Sequence, residues 1–316
     1  MQQKKIDERG RTYLQIAEGF ELKPEYDGVT EEYRKKAEVE LRETPENVKK
    51  GIEELRELIK ADANLHVPIE EEDFLIKFLR PTKFYAKSAY ELIARYYKFR
   101  IRHPKYGANL VPETAKRAFE HRVINIQPRR DKYGRRILIL SGAKDWTPEK
   151  FSLNELFRGV QLAVEVALVE PLTQINGCVM VFDMTGITFR QLQYCSLPFA
   201  ITLIEYVQHV APLRLKAFHV VHNPAFFNVL YKMLKPFFCQ KLKTRIFFHK
   251  SHVERLASHL GPESVRPCLG GTMNCDEIDG KLFAEVMMDN SEEFAHAATF
   301  GYMDEVAKIN AENLKK

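Results

Sequence analysis

The chain has 316 residues, 45% of them hydrophobic and 29% charged, the proportions of a soluble protein with a packed core in one or two domains. No apolar run reaches the roughly 18–20 residues of a membrane-spanning helix, which excludes an integral helical membrane protein. MQQKKIDERG carries charge with no apolar run behind it, so no secretory leader is expected. Lys+Arg 48 against Asp+Glu 43 gives +5, too mild to imply a nucleic-acid binder. Five cysteines (Cys178, Cys195, Cys239, Cys268, Cys275) include no CxxC pair, which argues against a disulfide framework or zinc ribbon and for a reducing cytosol.

Residues 30–105 read as helices only. Thr44, Pro45 and Glu46 supply an N-cap, a proline at the first helical position and an acid in the first turn. Val48, Ile52, Leu55, Leu58 and Ile59 then keep helical spacing until Pro68. EEEDFLIKFLRPTKF starts another helix, and Leu92, Ile93, Tyr96, Tyr97 and Phe99 give a third apolar stripe, so a small helical bundle is expected. After Pro128 the pattern changes. RILIL (136–140), CVMVFD (178–183), LKAFHVVH (215–222) and RIFFH (245–249) are short apolar runs separated by helical segments, which predicts mostly parallel strands with crossover helices. RRDKYGRR is a turn sequence that pairs RVINIQ with RILIL as a hairpin. Ser152 with Glu155 offers a capping box for a helix over 152–169. The tail after Thr272 is helix-permissive and suggests no role.

Enzyme signatures are missing: there is no GxGxxG after a strand, P-loop, GxSxG elbow or HExxH. His249, His252 and His259 span a strand end and a helix, a pattern of surface or capping histidines rather than a metal site. Asp183 closes an apolar strand, with no acid or histidine beside it in sequence; a loop cap is the plain alternative to catalysis.

The segment Ala225–Phe238 (AFFNVLYKMLKPFF) is unusual. At about 100° per residue, its polar Asn228, Lys232 and Lys235 fall within roughly 60° of one another. Apolar residues fill the rest of the circumference, more than one buried stripe needs. A fully buried core helix is one explanation. Pro236, and Lys241, Lys243 and Arg245 just beyond, favour instead a lid that covers a lipid and touches an anionic membrane. From Arg214 to Lys250 basic residues recur without a single acid. A solvated face is the ordinary explanation of such residues, but solvated faces normally mix signs.

FLIKFLRPTKF with YYKFR, VFDMTGI, APLRLKAFHVVHNPAFFNVLYKMLKPFF and KLKTRIFFH together resemble the CRAL-TRIO family, its tocopherol- and retinaldehyde-carrying members in particular, over roughly residues 45–275. The resemblance implies a lipid cage with a mobile helical gate, the lid residues being Phe226, Leu230, Met233, Leu234 and Phe237. It places the ligand-lining positions at Phe157, Val160, Val164, Cys178, Phe182, Leu203, Tyr206, Val207, Leu213, Leu215, Phe218 and Phe227, with Tyr206 and Cys178 able to offer a polar contact. Tocopherol carriers have small hydroxyl residues where Val160 and Val164 stand, so retinoids, carotenoids, sterols and other isoprenoids are equally open. A phosphoinositide-gripping cleft falls on Arg214, Lys216, Lys241 and Arg245; its further basic position falls on Thr82, next to Lys83. The family's closing glycine element appears as RPCLGG.

The fold expected is therefore α/β: an N-terminal extension (1–29), an all-helical N-terminal domain (30–108), a lipid-binding domain with a mostly parallel sheet and a helical lid (109–275), and a C-terminal tail (276–316). The function expected is a monomeric cytoplasmic carrier, peripheral at membranes, for one hydrophobic molecule. No catalytic residue, metal or cofactor is assigned. A phosphoinositide-sensing adaptor and a lipid-metabolising enzyme are the alternatives.

Overall fold

The structure, a computed structural model, describes residues 1–141 and 146–302; the end of the tail from 303 lies outside the described residues. The helical layer comprises α1 (Glu31–Leu41), α2 (Pro45–Lys60), α3 (Glu72–Leu79), α4 (Ala86–Arg102), and the short α5 (Pro104–Gly107) and α6 (Lys116–Glu120). Thr44 caps α2 as its sequence predicts, its hydroxyl accepting from the Asn47 backbone N–H at 3.2 Å. The forecast stripes bury Ile52, Leu55 and Ile59 on α2 and Leu92, Ile93, Tyr96, Tyr97 and Phe99 on α4.

The terminal segments are more structured than their sequence announces. The extension forms an antiparallel meander of β1 (Gln3–Ile6), β2 (Thr12–Ala17) and β3 (Phe20–Leu22), whose Leu14 and Ile16 are fully buried in the main core. The tail contributes α14 (Gly280–Asp289) and α15 (Ser291–Ala298), with Phe283, Ala284 and Met287 in that same core. A two-residue strand, β4 (Leu65–His66), interrupts the otherwise helical N-terminal layer and pairs with β10 (Gly301–Tyr302).

The central sheet is five-stranded, in the order β5 (Ile124–Ile126), β6 (Arg136–Leu140), β7 (Cys178–Asp183), β8 (Leu215–Val221), β9 (Ile246–Lys250). β5 is antiparallel to β6, the forecast hairpin, and the other three pairs are parallel. The crossovers carry α7 (Leu153–Leu168), α8 (Pro171–Asn176), α9 (Phe189–Leu192), α10 (Leu197–Glu205), α11 (Phe227–Leu234), α12 (Gln240–Lys243) and, after β9, α13 (Val253–Leu260). Ser152 and Glu155 close a capping box on α7. Gly177 is required at the entry to β7: its φ is +84°, and a Cβ there would lie 2.2 Å from the Arg214 carbonyl oxygen.

The two faces of this sheet differ. On the back, Ile137, Ile139, Val179, Val181, Ala217 and Val221 close against Leu256 and Leu260 of α13, each 4% exposed or less. His219 and His249 share that side, with His219 Nδ1 2.8 Å from His249 Nε2 and the His259 ring packed on both. Burial, reinforced by the neighbouring histidines, pushes His219 down to about 3 and His249 down to about 4, so both are neutral in the fold. Below about pH 6.5 the unfolded chain binds protons that these two refuse, and stability falls with pH until about 4. Unfolding by urea at pH 7.5 and pH 5 is expected to show a loss of roughly 2–4 kcal/mol, reduced by about half in His219→Gln. An unchanged loss in the variant would contradict this assignment.

Candidate functional site: a half-covered sheet face and a basic cleft

On the front of the same strands Cys178 and Met180 are buried, while Phe182 on β7 and Phe218 on β8 are only half-buried. Both are large apolar residues on inner strands, where a solid core would cover them as the back face is covered. Phe157, Val160 and Val164 line up on the buried side of α7. Leu203, Val207 and Leu213, from α10 to the start of β8, are half-buried and Leu215 is buried; of these, Val207, Leu213 and Leu215 line a separate cleft that also holds basic residues. Phe157 and Tyr206 sit deeper, within an aromatic cluster that Phe99, Tyr106 and Phe199 complete; the Phe157 ring lies 5.4 Å from Tyr206 and 5.0 Å from Tyr106. The Tyr206 hydroxyl is buried and has no hydrogen-bond partner among the described residues.

α11 covers this face. Phe227 points inward, its ring 6.3 Å from both Phe182 and Phe248, and Tyr231, one turn on, stacks edgewise on Phe248 at 4.7 Å. Val229, Met233 and Phe237, at i, i+4 and i+8, point outward and are 61%, 56% and 44% exposed. Leu230 and Leu234 are half-buried, and Phe226 contacts the exposed Phe189 of α9 at 5.9 Å. No residue of α11 is buried, which excludes the core-helix explanation. The exit of this helix is tied down by Gln208, whose side-chain amide donates to the Phe237 carbonyl at 3.1 Å and accepts from the Cys239 backbone N–H.

Beside the helix exit, Lys83, Arg214, Lys216, Lys241 and Arg245 line one cleft of about 470 Å³. Four of these were assigned together from the sequence. Lys83 joins them, whereas the hydroxyl of its neighbour Thr82 turns back onto the end of α3, donating to the Phe78 and Leu79 carbonyls. The guanidinium groups are anchored: Arg214 donates to the Ile175 carbonyl and Arg245 to the Leu215 carbonyl. Burial, then the neighbouring arginines, pushes Lys216 and Lys241 down, and Arg245 is lowered in the same way by burial and Arg214. Such a crowd of like charges is relieved by an anion.

Asp183 has a partner that its sequence neighbours conceal. His222, at the end of the adjacent parallel strand, places Nδ1 2.8 Å from Asp183 Oδ1. Thr185 donates to the same oxygen through its hydroxyl and its backbone N–H. Both Asp183 and Thr185 meet the imidazole at Nδ1, which puts the hydroxyl and the carboxylate on the same ring nitrogen, whereas a nucleophile–base relay places them on opposite ones. The arrangement is a loop cap. His252, grouped by sequence with His249 and His259, sits instead at the start of α13 against Glu254. Among the described residues no cluster of three or more His, Cys, Asp or Glu is disposed to hold a metal ion, and no helix is long and apolar enough to cross a membrane.

Residues 120–271 match the CRAL/TRIO domain, a span that contains the whole central sheet. Clavesin-1 of Rattus norvegicus is 29% identical over 248 residues, covering 78% of this chain and 70% of that one. Clavesin-2 of Homo sapiens is 27% identical over 269 residues, covering 83% and 80%. The solved structure of Sfh5 aligns with a TM-score of 0.45 at 14% identity, over 75% of this chain and 95% of that chain. The match across β5–β9 and relatives similar over more than two thirds of both chains lead to one conclusion: the part of the chain that builds the central sheet, residues 120–271, is a CRAL/TRIO domain.

Proposed function

We propose that the protein is a carrier that encloses one small hydrophobic ligand (a retinoid, tocopherol or other isoprenoid-like lipid) between the front of the sheet and α11, and exchanges it at phosphoinositide-containing membranes without chemical change. The observation that carries this reading is the contrast between the faces of β7 and β8: Val179 and Val181 are fully buried behind, while Phe182 and Phe218 in front are left half-covered under the helix. An apolar guest completes that face as side chains complete the other.

The doubly apolar α11 explains the exchange. Phe227 and Tyr231 are satisfied by the interior and Val229, Met233 and Phe237 by a bilayer, so membrane contact favours the displaced lid. The cleft holds the protein at the surface by gripping the phosphorylated headgroup. The protein thereby works in the cytoplasm, as a monomer, and visits membranes peripherally.

Titration of the purified protein with fluorescent retinoids, tocopherols and sterol analogues tests the cage; the expected result is saturable binding of one molecule per chain. A chain that binds none of them yet binds phosphoinositide vesicles would be an adaptor, and turnover of a bound lipid would reveal an enzyme. Loosening the lid exit gives an independent check. Gln208→Ala removes two hydrogen bonds of about 1 kcal/mol each, so ligand dissociation is expected to accelerate by up to roughly 30-fold and equilibrium stability to fall by no more than about 2 kcal/mol. Equal dissociation rates would separate the Gln208 clasp from gating.

A further inference from the structure

The basic cleft is already partly occupied by the protein itself. Glu40, near the end of α1, is the one carboxylate among the described residues lining it. Its Oε2 accepts from Arg214 Nη2 at 2.7 Å and from Lys216 Nζ at 3.2 Å. Burial disfavours the Glu40 charge, yet the bonds from Arg214 and Lys216 outweigh it and hold the carboxyl below its usual range. We propose that Glu40 is an internal competitor for the headgroup site: its carboxylate takes the position of one phosphate, and a phosphorylated headgroup binds Arg214 and Lys216 only by displacing it. The inference rests on the phosphoinositide reading of the cleft and adds a residue that sets its threshold.

Three features make the exchange physically reasonable. Glu40 is 37% exposed, so its side chain can swing into solvent without unfolding anything. α1 does not depend on it for attachment: Ala37 and Leu41 are buried against Ile175, and Lys36 donates to the Asn176 side-chain oxygen at 2.7 Å. Arg214 has a second anchor that does not involve Glu40, donating through its other terminal nitrogen to the Ile175 carbonyl. A monoanionic carboxylate faces five cations, whereas a phosphate carries nearly two charges and three acceptor oxygens, so the headgroup wins and the internal ligand lowers its apparent affinity. The cleft remains closed to weak anions and opens to multiply phosphorylated ones.

The test is vesicle binding by the full chain, comparing Glu40→Gln with wild type on phosphatidylcholine vesicles with and without phosphatidylinositol bisphosphate. Glu40→Gln is expected to bind the phosphoinositide vesicles about 5- to 10-fold more tightly, the worth of one charge-assisted contact no longer displaced. Glu38→Gln removes the same charge from an exposed position on the same helix and is expected to change affinity less than about twofold, because a distant charge acts only through screened solvent. In an Arg214→Gln background the gain from Glu40→Gln is expected to shrink, leaving only the part that Lys216 carries. Glu40→Ala provides a second variant should the glutamine form fold poorly. Equal binding by wild type and Glu40→Gln would overturn the inference and leave the headgroup site intact. Weaker binding by Glu40→Gln would overturn it too, making Glu40 a residue that positions the cations. No binding by any variant would overturn the phosphoinositide reading itself, and the inference with it.

Discussion

Phe227→Asp is expected to abolish ligand retention. The Phe227 ring sits between Phe182 and Phe248 on the covered side of α11, and a carboxylate in its place faces apolar rings and an apolar guest. Burying an unpaired carboxylate costs several kcal/mol, and the group escapes the cost by taking a proton or by forcing the lid outward. A shift of about 3 kcal/mol corresponds to a ligand off-rate roughly 100-fold faster. The fold itself is expected to survive, since no residue of α11 is fully buried. Stopped-flow release of a fluorescent ligand from the folded variant checks this; an unchanged off-rate would remove α11 from the gate.

Lys241→Ala combined with Arg245→Ala is expected to slow transfer to phosphoinositide vesicles about 10- to 30-fold, each basic residue near an anionic surface contributing roughly 1 kcal/mol. Equilibrium ligand binding is expected to remain near wild type, because both side chains are cations of the cleft and neither is among the proposed ligand-lining residues. Added salt is expected to narrow the gap between the two proteins by screening what the wild type gains. Transfer at the wild-type rate at low salt would mean that the basic stretch is only a solvated face. The Arg214–Lys216 half of the cleft behaves differently, since Glu40 already neutralises part of it.

What was legible in the sequence was local or periodic. The Thr44 cap, the Ser152–Glu155 box, the helical stripes and the parallel strands each depend on residues within a few positions of one another, and each stands where its pattern placed it. The outward apolar face of α11 was visible because the segment's composition contradicts a single buried stripe. Features made by distant partners were not visible. The β1–β3 strands are short, and the partners of Leu14 and Ile16 are remote in sequence: Phe283 and Met287 of the folded tail share their core. His222 reaches Asp183 through strand registry, in which Asp183 pairs with Val221, the residue before it. Glu40 stands in an acid-rich helix that reads as solvated, and nothing local distinguishes it from Glu38; only the approach of α1 to the start of β8 gives it Arg214 and Lys216.

The carrier account is tested most directly by what the protein holds when purified. Organic extraction of the native protein followed by mass spectrometry is expected to recover one apolar species in about one-to-one ratio to protein, chemically unchanged after incubation, and depleted in Phe227→Asp. Protein that yields no apolar molecule and binds none on addition, or that yields a converted product, would contradict it.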